Sequence, residues 1–228
     1  MSEQPVAPAR PSATVVLFRE HDAGGEILLV QRSGRLDFHG GAWVFPGGRV
    51  DEHEETAAAG DVLAAARAAA VREVMEETGL AVASSALVTL SRWTTPVQAP
   101  KRFLTWFFLA PVNARAEVHV DGREIVASRW VRPAAAIEEH CAGRLDIPPP
   151  TFVTLKSLAG ARSLAEHHAG QAAREPDIFE PKIVLMDKGF FSLYAGDAGF
   201  EAGDVAAPGP RHRLYSTESG WRYERSGC

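Results

Sequence analysis

Glu73, Glu76 and Glu77 fall within one short run, Arg72-Glu-Val-Met-Glu-Glu-Thr-Gly79. At about 100° per residue, helical positions i, i+3 and i+4 share a face, so this spacing predicts three carboxylates within a single turn. Like charges so placed repel by a few tenths of a kcal/mol per pair in water, and by more where water is excluded. No lysine interrupts the turn to offset that repulsion. Hard divalent cations take oxygen ligands, so such a cluster suits Mg2+ or Mn2+. The competing reading is a solvated acidic face. Upstream lies Gly47-Gly48, where the backbone can bend tightly and bring amide or carbonyl groups close to a ligand.

The element that carries the acids is the clearest helix in the chain, 62–78, with Asp61 as its N-cap and Gly79 as its stop. Its opposite stripe, Leu63, Ala66, Ala70, Val71 and Val74, is apolar, so the helix docks and its acids face solvent or a cleft. Ahead of it, strand-like runs at 13–18 and 26–31 flank a turn-rich stretch at 22–25, predicting a hairpin. Further strands are expected at 87–93, 103–110 and 125–131, then a short helix from Pro133 to His140. After three prolines at 148–150, one helix is expected over 151–168, followed by strands at 182–186, 190–194, 211–216 and 221–225. The pattern implies an α/β (α+β) layered protein: a flexible tail over 1–12, a core over 13–145 and a helix-and-strand extension over 146–228 packed on it.

The bulk properties narrow the partners. With 228 residues, 46% apolar and 23% charged, the chain is expected to fold around one core. Its strongest apolar run, 103–112, is half of what a membrane-spanning helix needs, so no membrane is expected as a partner. A net charge of −5 has the wrong sign for gripping a phosphate polymer, so nucleic acid is not expected either. A small phosphorylated ligand remains open, because a bound metal supplies local positive charge. Two cysteines, Cys141 and Cys228, and no secretory pattern point to a cytoplasmic setting. Neither Cys141 nor His39, His53 or His140 has a partner at catalytic or zinc spacing, and Trp93, Trp106 and Trp130 read as core.

The run 72–80, RExxEExGL, preceded by FPGG at 45–48, resembles the box of the Nudix hydrolases, G-x5-E-x7-R-E-U-x-E-E-x-G-U with U aliphatic. Gly48 and Glu54 fit G-x5-E, but seventeen residues separate Glu54 from Arg72 where seven are expected. Asp51, Glu52, Glu54 and Glu55 are therefore all candidates for the first acid. A longer loop here is similar to the coenzyme A diphosphatase branch. So are Leu28-Leu29, Arg32-Ser33 and Gly41, set against LLTxR[SA]x3Rx3Gx3FPGG, although Val30 and Asp37 depart from that pattern.

The resemblance implies an α/β/α sandwich with a mixed central sheet and metal-dependent hydrolysis of a nucleoside diphosphate linked to another moiety, coenzyme A or acyl-coenzyme A foremost. It implies Glu76, Glu77 and the Gly48 carbonyl as ligands of Mg2+ or Mn2+, Glu73 as a further ligand or base, and Arg72 as the group that orients a carboxylate. Glu124, six residues ahead of Trp130, is a candidate ligand or base. Arg32, Arg35, Lys101 and Arg102 are candidates for gripping phosphates. A rival reading is an ADP-ribose or nucleotide-sugar pyrophosphatase; such members often carry a proline about fifteen residues beyond the box, and Pro96, seventeen beyond Gly79, is compatible with them. Another is a ligand-sensing domain without catalysis, which retention of all three helix glutamates disfavours. The C-terminal strands offer a surface for a homodimer.

Overall fold

The computed structural model describes residues 7–20, 24–35, 39–217 and 220–227. Residues 1–6 of the expected tail, part of the 22–25 turn, Asp37 and Cys228 lie outside the described residues. Strand β1 (Arg10–Arg19) starts three positions ahead of the expected 13 and is followed by β2 (Glu26–Arg32), β3 (Trp43–Val44) and β4 (Gly47–Arg49). The acidic stretch winds into a short helix α1 (Glu52–Ala57), and the acid-bearing helix α2 (Val62–Thr78) follows. Asp61 Oδ1 caps α2, accepting from the Leu63 and Ala64 N–H groups at 3.0 and 2.9 Å. Gly79 ends it in the left-handed conformation, φ 69°.

Next come β5 (Val88–Thr94), β6 (Phe103–Pro111), β7 (Ile125–Val131) and α3 (Pro133–Cys141). The single helix expected over 151–168 is instead two, α4 (Pro149–Ala159) and α5 (Leu164–Gln171). Gly160 closes the first, and Ser163 caps the second by accepting from the Glu166 N–H at 3.3 Å. The chain ends with β8 (Asp177–Phe179), β9 (Lys182–Leu185), β10 (Phe190–Leu193), β11 (Arg211–Thr217) and β12 (Gly220–Ser226). β8 is too short for its period to show in sequence.

Among the described residues, β3-β2-β1-β6-β5-β8 form a mixed sheet in that order, with β4 added to β1 and β7 to β2. Alternation along its strands divides the core in two. Val16 and Phe18 of β1, with Ile27 and Leu29 of β2, enter the layer under α4 and α5. Ala13, Val15 and Leu17, with Leu28 and Val30, enter the layer under α2. The result is the expected α/β/α sandwich. One edge of β1 is shared: its first half pairs with β4 through Ser12–Thr14, and its end pairs with β2 through Phe18 and Arg19. The sheet therefore splays at the glycine turn.

Of the expected extension, β9 to β12 form a separate antiparallel sheet, β12-β11-β10-β9, while α4, α5 and β8 join the sandwich. Tyr194 and Leu214 join the first core layer, with Trp221 and Tyr223 packed beside them. The Trp221 N–H donates to His140 Nε2 at 3.1 Å and its indole N–H donates to the Ile147 carbonyl at 2.9 Å, tying β12 to α3 and the segment before α4. Asp197, fully buried, receives Arg213 Nε at 2.7 Å and Nη2 at 2.6 Å, which pins the loop between β10 and β11.

Candidate active site

Helix α2 docks on β1 and β4 through Ala65, Ala66, Ala69, Ala70 and Val74, whose small side chains let the backbone approach closely. Glu77 lies three positions beyond Val74, so the docking stripe runs into a carboxylate and carries it into the wall, 6% exposed. Glu77 Oε2 accepts from the Gly47 N–H at 2.9 Å. Gly47 has φ 154°, and a Cβ there would overlap the Ala13 carbonyl, so only glycine fits. At Gly48 a Cβ would overlap the Glu73 carboxylate, which packs against that bare backbone. The Gly48 carbonyl accepts from Ser12 Oγ at 2.7 Å.

Arg72 organises the acids. Its Nε and Nη2 donate to Glu54 Oε1 and Oε2 at 2.9 and 3.2 Å, while Nη1 donates to Glu73 at 2.8 Å and Glu76 at 3.1 Å. Glu54 is 5% exposed and its Oε2 also accepts the Asp51 N–H at 2.8 Å. Of the four candidates for the first acid, Glu54 is thus the one that meets Arg72 in a two-pronged pair, with Asp51 3.7 Å from the same guanidinium. The ten extra residues loop outward through Ala59 and Gly60, both at positive φ, and α2 returns to the same contact. Burial works to raise the Glu54 pKa, but the Arg72 pairing prevails and holds it below the usual range. The same pairing, set mainly by Glu54, holds the Arg72 proton more tightly than usual.

The other acids go the opposite way. Burial pushes the Glu77 carboxyl up to about 8, the Gly47 N–H opposing and Glu73 and Glu124 adding to the rise. Glu73 is also raised, chiefly by burial, with Arg72 opposing and Glu76 and Glu124 contributing. Among the described residues, no three His, Cys, Asp or Glu side chains gather around a point at metal-ligand spacing. Glu77 turns to the Gly47 N–H, and Glu73 and Glu76 turn to the Arg72 guanidinium. A divalent cation fits this donor set. Desolvated carboxylates with raised pKa values are what a bound positive charge would relieve, and all the donors are hard oxygens.

The acids open onto a cleft of about 1040 Å3. Gly48, Arg72, Glu73, Glu76 and Glu77 line it, as does Glu124, held by an Asp121 turn whose carboxylate accepts the Glu124 and Ile125 N–H groups at 3.0 and 2.8 Å. Arg32 lines it too, near enough to oppose the rise at Glu77. Arg35, Lys101 and Arg102 are outside the lining. Arg102 is spent on structure, donating to the Thr95 carbonyl at 3.1 Å and the Ala7 carbonyl at 2.8 Å. His39, expected as a surface histidine, lines the cleft, as do Asp51, Asp121 and Arg123. Trp93 is core, 5% exposed, and cleft wall at once. Sequence reading missed Ile183, Phe190, Ser192 and Tyr194, which reach the cleft from the C-terminal sheet. Only the alternation of Phe190, Ser192 and Tyr194 hinted at a shared face.

The acyl-coenzyme A diphosphatase NUDT19 of Homo sapiens is 32% identical over 117 residues, 49% of this chain and 31% of the relative. Its Xenopus laevis counterpart is 34% identical over 119 residues, with the same 49% and 31% coverage. The chain therefore spans about a third of the length of these curated relatives. Among solved structures, a NUDIX hydrolase from Alicyclobacillus acidocaldarius superposes with a TM-score of 0.66 at 22% identity, over 75% of this chain and 100% of that one, which shows the fold. The NUDIX domain family model matches residues 8–148, from β1 to the start of α4, and the chain belongs to the Nudix hydrolase family.

Proposed function

We propose that the chain hydrolyses the diphosphate bond of coenzyme A or acyl-coenzyme A, water entering at phosphorus and 3′,5′-ADP and phosphopantetheine or its acyl form leaving. The observation that carries this is the acid set, Glu73, Glu76, Glu77 and Glu124, lining a cleft of about 1040 Å3 that also reaches uncharged residues of the C-terminal sheet. The similarity to two acyl-coenzyme A diphosphatases supports the choice of substrate.

Glu73, Glu76, Glu77, Glu124 and the Gly48 carbonyl would hold Mg2+ or Mn2+, which would neutralise charge on the diphosphate. Where the other acids hold the metal, Glu73 is the carboxylate that would accept the proton of the attacking water. Arg72 holds that carboxylate in place, itself anchored by Glu54. Gly47 fixes Glu77 through its N–H, and Arg32 supplies a cation toward the phosphates. Binding and orientation by these groups do most of the work, since phosphoryl transfer asks for little covalent chemistry from the protein.

Pro96 also lines the cleft, which favours ADP-ribose or a nucleotide sugar as the second reading. One assay separates them: incubation with Mg2+ or Mn2+ and a panel of coenzyme A, acyl-coenzyme A, ADP-ribose, NADH and nucleotide sugars, with products identified by mass. Release of 3′,5′-ADP is expected. AMP with ribose phosphate, and no cleavage of coenzyme A, would overturn the proposal.

A further inference from the structure

A chain of aromatic rings leads away from the acids. Phe45, beside the glycine turn, meets Phe107 edge-on at 6.5 Å between centroids, Phe107 meets Trp93 at 6.2 Å, and Trp93 meets Tyr194 edge-on at 5.8 Å. All four rings line the cleft. With Tyr194 the cleft passes beyond the Nudix match at 8–148 and onto the C-terminal sheet.

Alternate residues of a strand share a face, and Phe190, Ser192 and Tyr194 are such a set, with Ile183 of β9 directly opposite Ser192 of β10. These four residues of the second sheet border the cleft. The intervening Phe191 faces away and stacks on Tyr215 at 4.7 Å. Ser192, 4% exposed, lies between the two rings, while Ile183 and Phe190, both half-buried, border the groove of the cleft. The charged residues of the cleft lie between positions 32 and 124, at and around the acid site. None of the lining residues at 93–107, 148–151 or 181–194 is charged. The cleft is thus charged where a diphosphate would sit and neutral, ring-lined and proline-walled where the rest of the molecule would extend.

We propose that this face of the C-terminal sheet reads the far end of the substrate, binding an extended apolar chain, with Ile183 and Phe190 gauging its length. This deepens the coenzyme A reading above and rests on it, the chain being the acyl group of a thioester. The sheet is fit for the task because its other anchors are rigid: Leu214 and Tyr194 are in the core, and Trp221 is bonded to the helical layer.

The test is a series of coenzyme A, acetyl-, hexanoyl- and dodecanoyl-coenzyme A with Mn2+, reading KM and kcat for the full chain and for Ile183→Trp, Phe190→Ala and Val184→Trp. Each fully buried methylene lowers KM by roughly fourfold, so if only two of the four methylenes added from acetyl to hexanoyl are buried a fall of about tenfold or more is expected. Ile183→Trp fills the groove and Phe190→Ala removes its wall, so both flatten that dependence on length. Val184→Trp, on the opposite face of the same strand, keeps it. Thermal denaturation of each variant separates misfolding from a lost groove. A flat series in the unaltered protein, or a length dependence that survives both Ile183→Trp and Phe190→Ala, overturns this inference while leaving the coenzyme A reading intact. No cleavage of any member, with another nucleotide diphosphate accepted, overturns the reading beneath it as well.

Discussion

Replacing Glu54 by Gln tests the organisation of the acid site with the least change in shape. The amide keeps one acceptor but loses the charge that faces Arg72 at 2.9 and 3.2 Å, and it places a donor where a carboxylate oxygen now accepts the Asp51 N–H. Charge-assisted hydrogen bonds are worth roughly 1.5–3 kcal/mol each, and breaking a buried pair leaves the partner uncompensated. Arg72 is 23% exposed and retains Glu73 and Glu76, so part of that cost returns through them. The net loss is about 2 kcal/mol, which for a chain of this length lowers Tm by roughly 4–8 °C. The second consequence is chemical. Released from Glu54, the guanidinium pairs more closely with Glu73 and Glu76 and competes with any cation those acids hold. Calorimetric titration with Mn2+ should therefore show affinity reduced at least about tenfold, a cost of 1.4 kcal/mol, and kcat should fall with it. Glu52→Gln and Glu55→Gln alter exposed acids of the same helix and should change neither Tm nor Mn2+ affinity. If Glu54→Gln is silent in both assays, or if Glu52→Gln or Glu55→Gln produces the loss, the assignment of Glu54 as the acid that anchors Arg72 is wrong.

Three further outcomes follow from the same geometry. Glu77, with its carboxyl raised to about 8, binds a proton in the folded chain that the unfolded chain has released by pH 5–6, so the metal-free protein loses stability as pH rises toward 8. Glu77→Gln should raise the metal-free stability at pH 8 by at least about 1 kcal/mol, and should abolish the stabilisation that Mn2+ gives the unaltered chain; an unchanged Mn2+ response in differential scanning calorimetry would refute it. Gly48→Ala drives a methyl into the Glu73 carboxylate, and a displaced base should cost kcat roughly a hundredfold with little change in Tm, measured by steady-state kinetics beside thermal melts. Asp197→Asn removes the partner of buried Arg213 and should cost about 3 kcal/mol. Burial opposes ionisation of Asp197, but Arg213 and the His212 and Gly199 N–H groups hold it down to about 2. Its stabilisation is therefore present above the unfolded carboxylate range and lost as pH falls toward 2, an acid limb that Asp197→Asn should lack in circular dichroism.

The acids on α2 were legible because a helix turns local spacing into a shared face, and Asp61 and Gly79 mark its ends by chemistry that acts over three or four residues. The long strands were legible for the same reason, their apolar runs being local signals. The helix expected over 151–168 was misread as continuous, since Ser163 acts as a cap only where Glu20 and α5 come together, its hydroxyl donating to Glu20 at 3.0 Å. Glu54 could not be singled out from Asp51, Glu52 and Glu55, because the contact that distinguishes it spans eighteen positions and a loop whose path is unconstrained by spacing. The far wall of the cleft lay deeper still out of reach. Trp93 and Tyr194 meet at 5.8 Å although a hundred and one positions separate them, and nothing in either neighbourhood announces the other. What differs between the two ends of the cleft is how their parts are gathered. The reactive end is built chiefly on one helix and the turn beneath it, with Arg32, Glu54 and Glu124 brought in from other segments, so most of its chemistry is written in one stretch of chain. The far end is built by docking a second sheet against the first, so under the proposal above new side chains at Ile183 or Phe190 would alter the substrate end while leaving the acids undisturbed. Exchanging Ile183 and Phe190 should accordingly move KM across an acyl series far more than kcat on any one member.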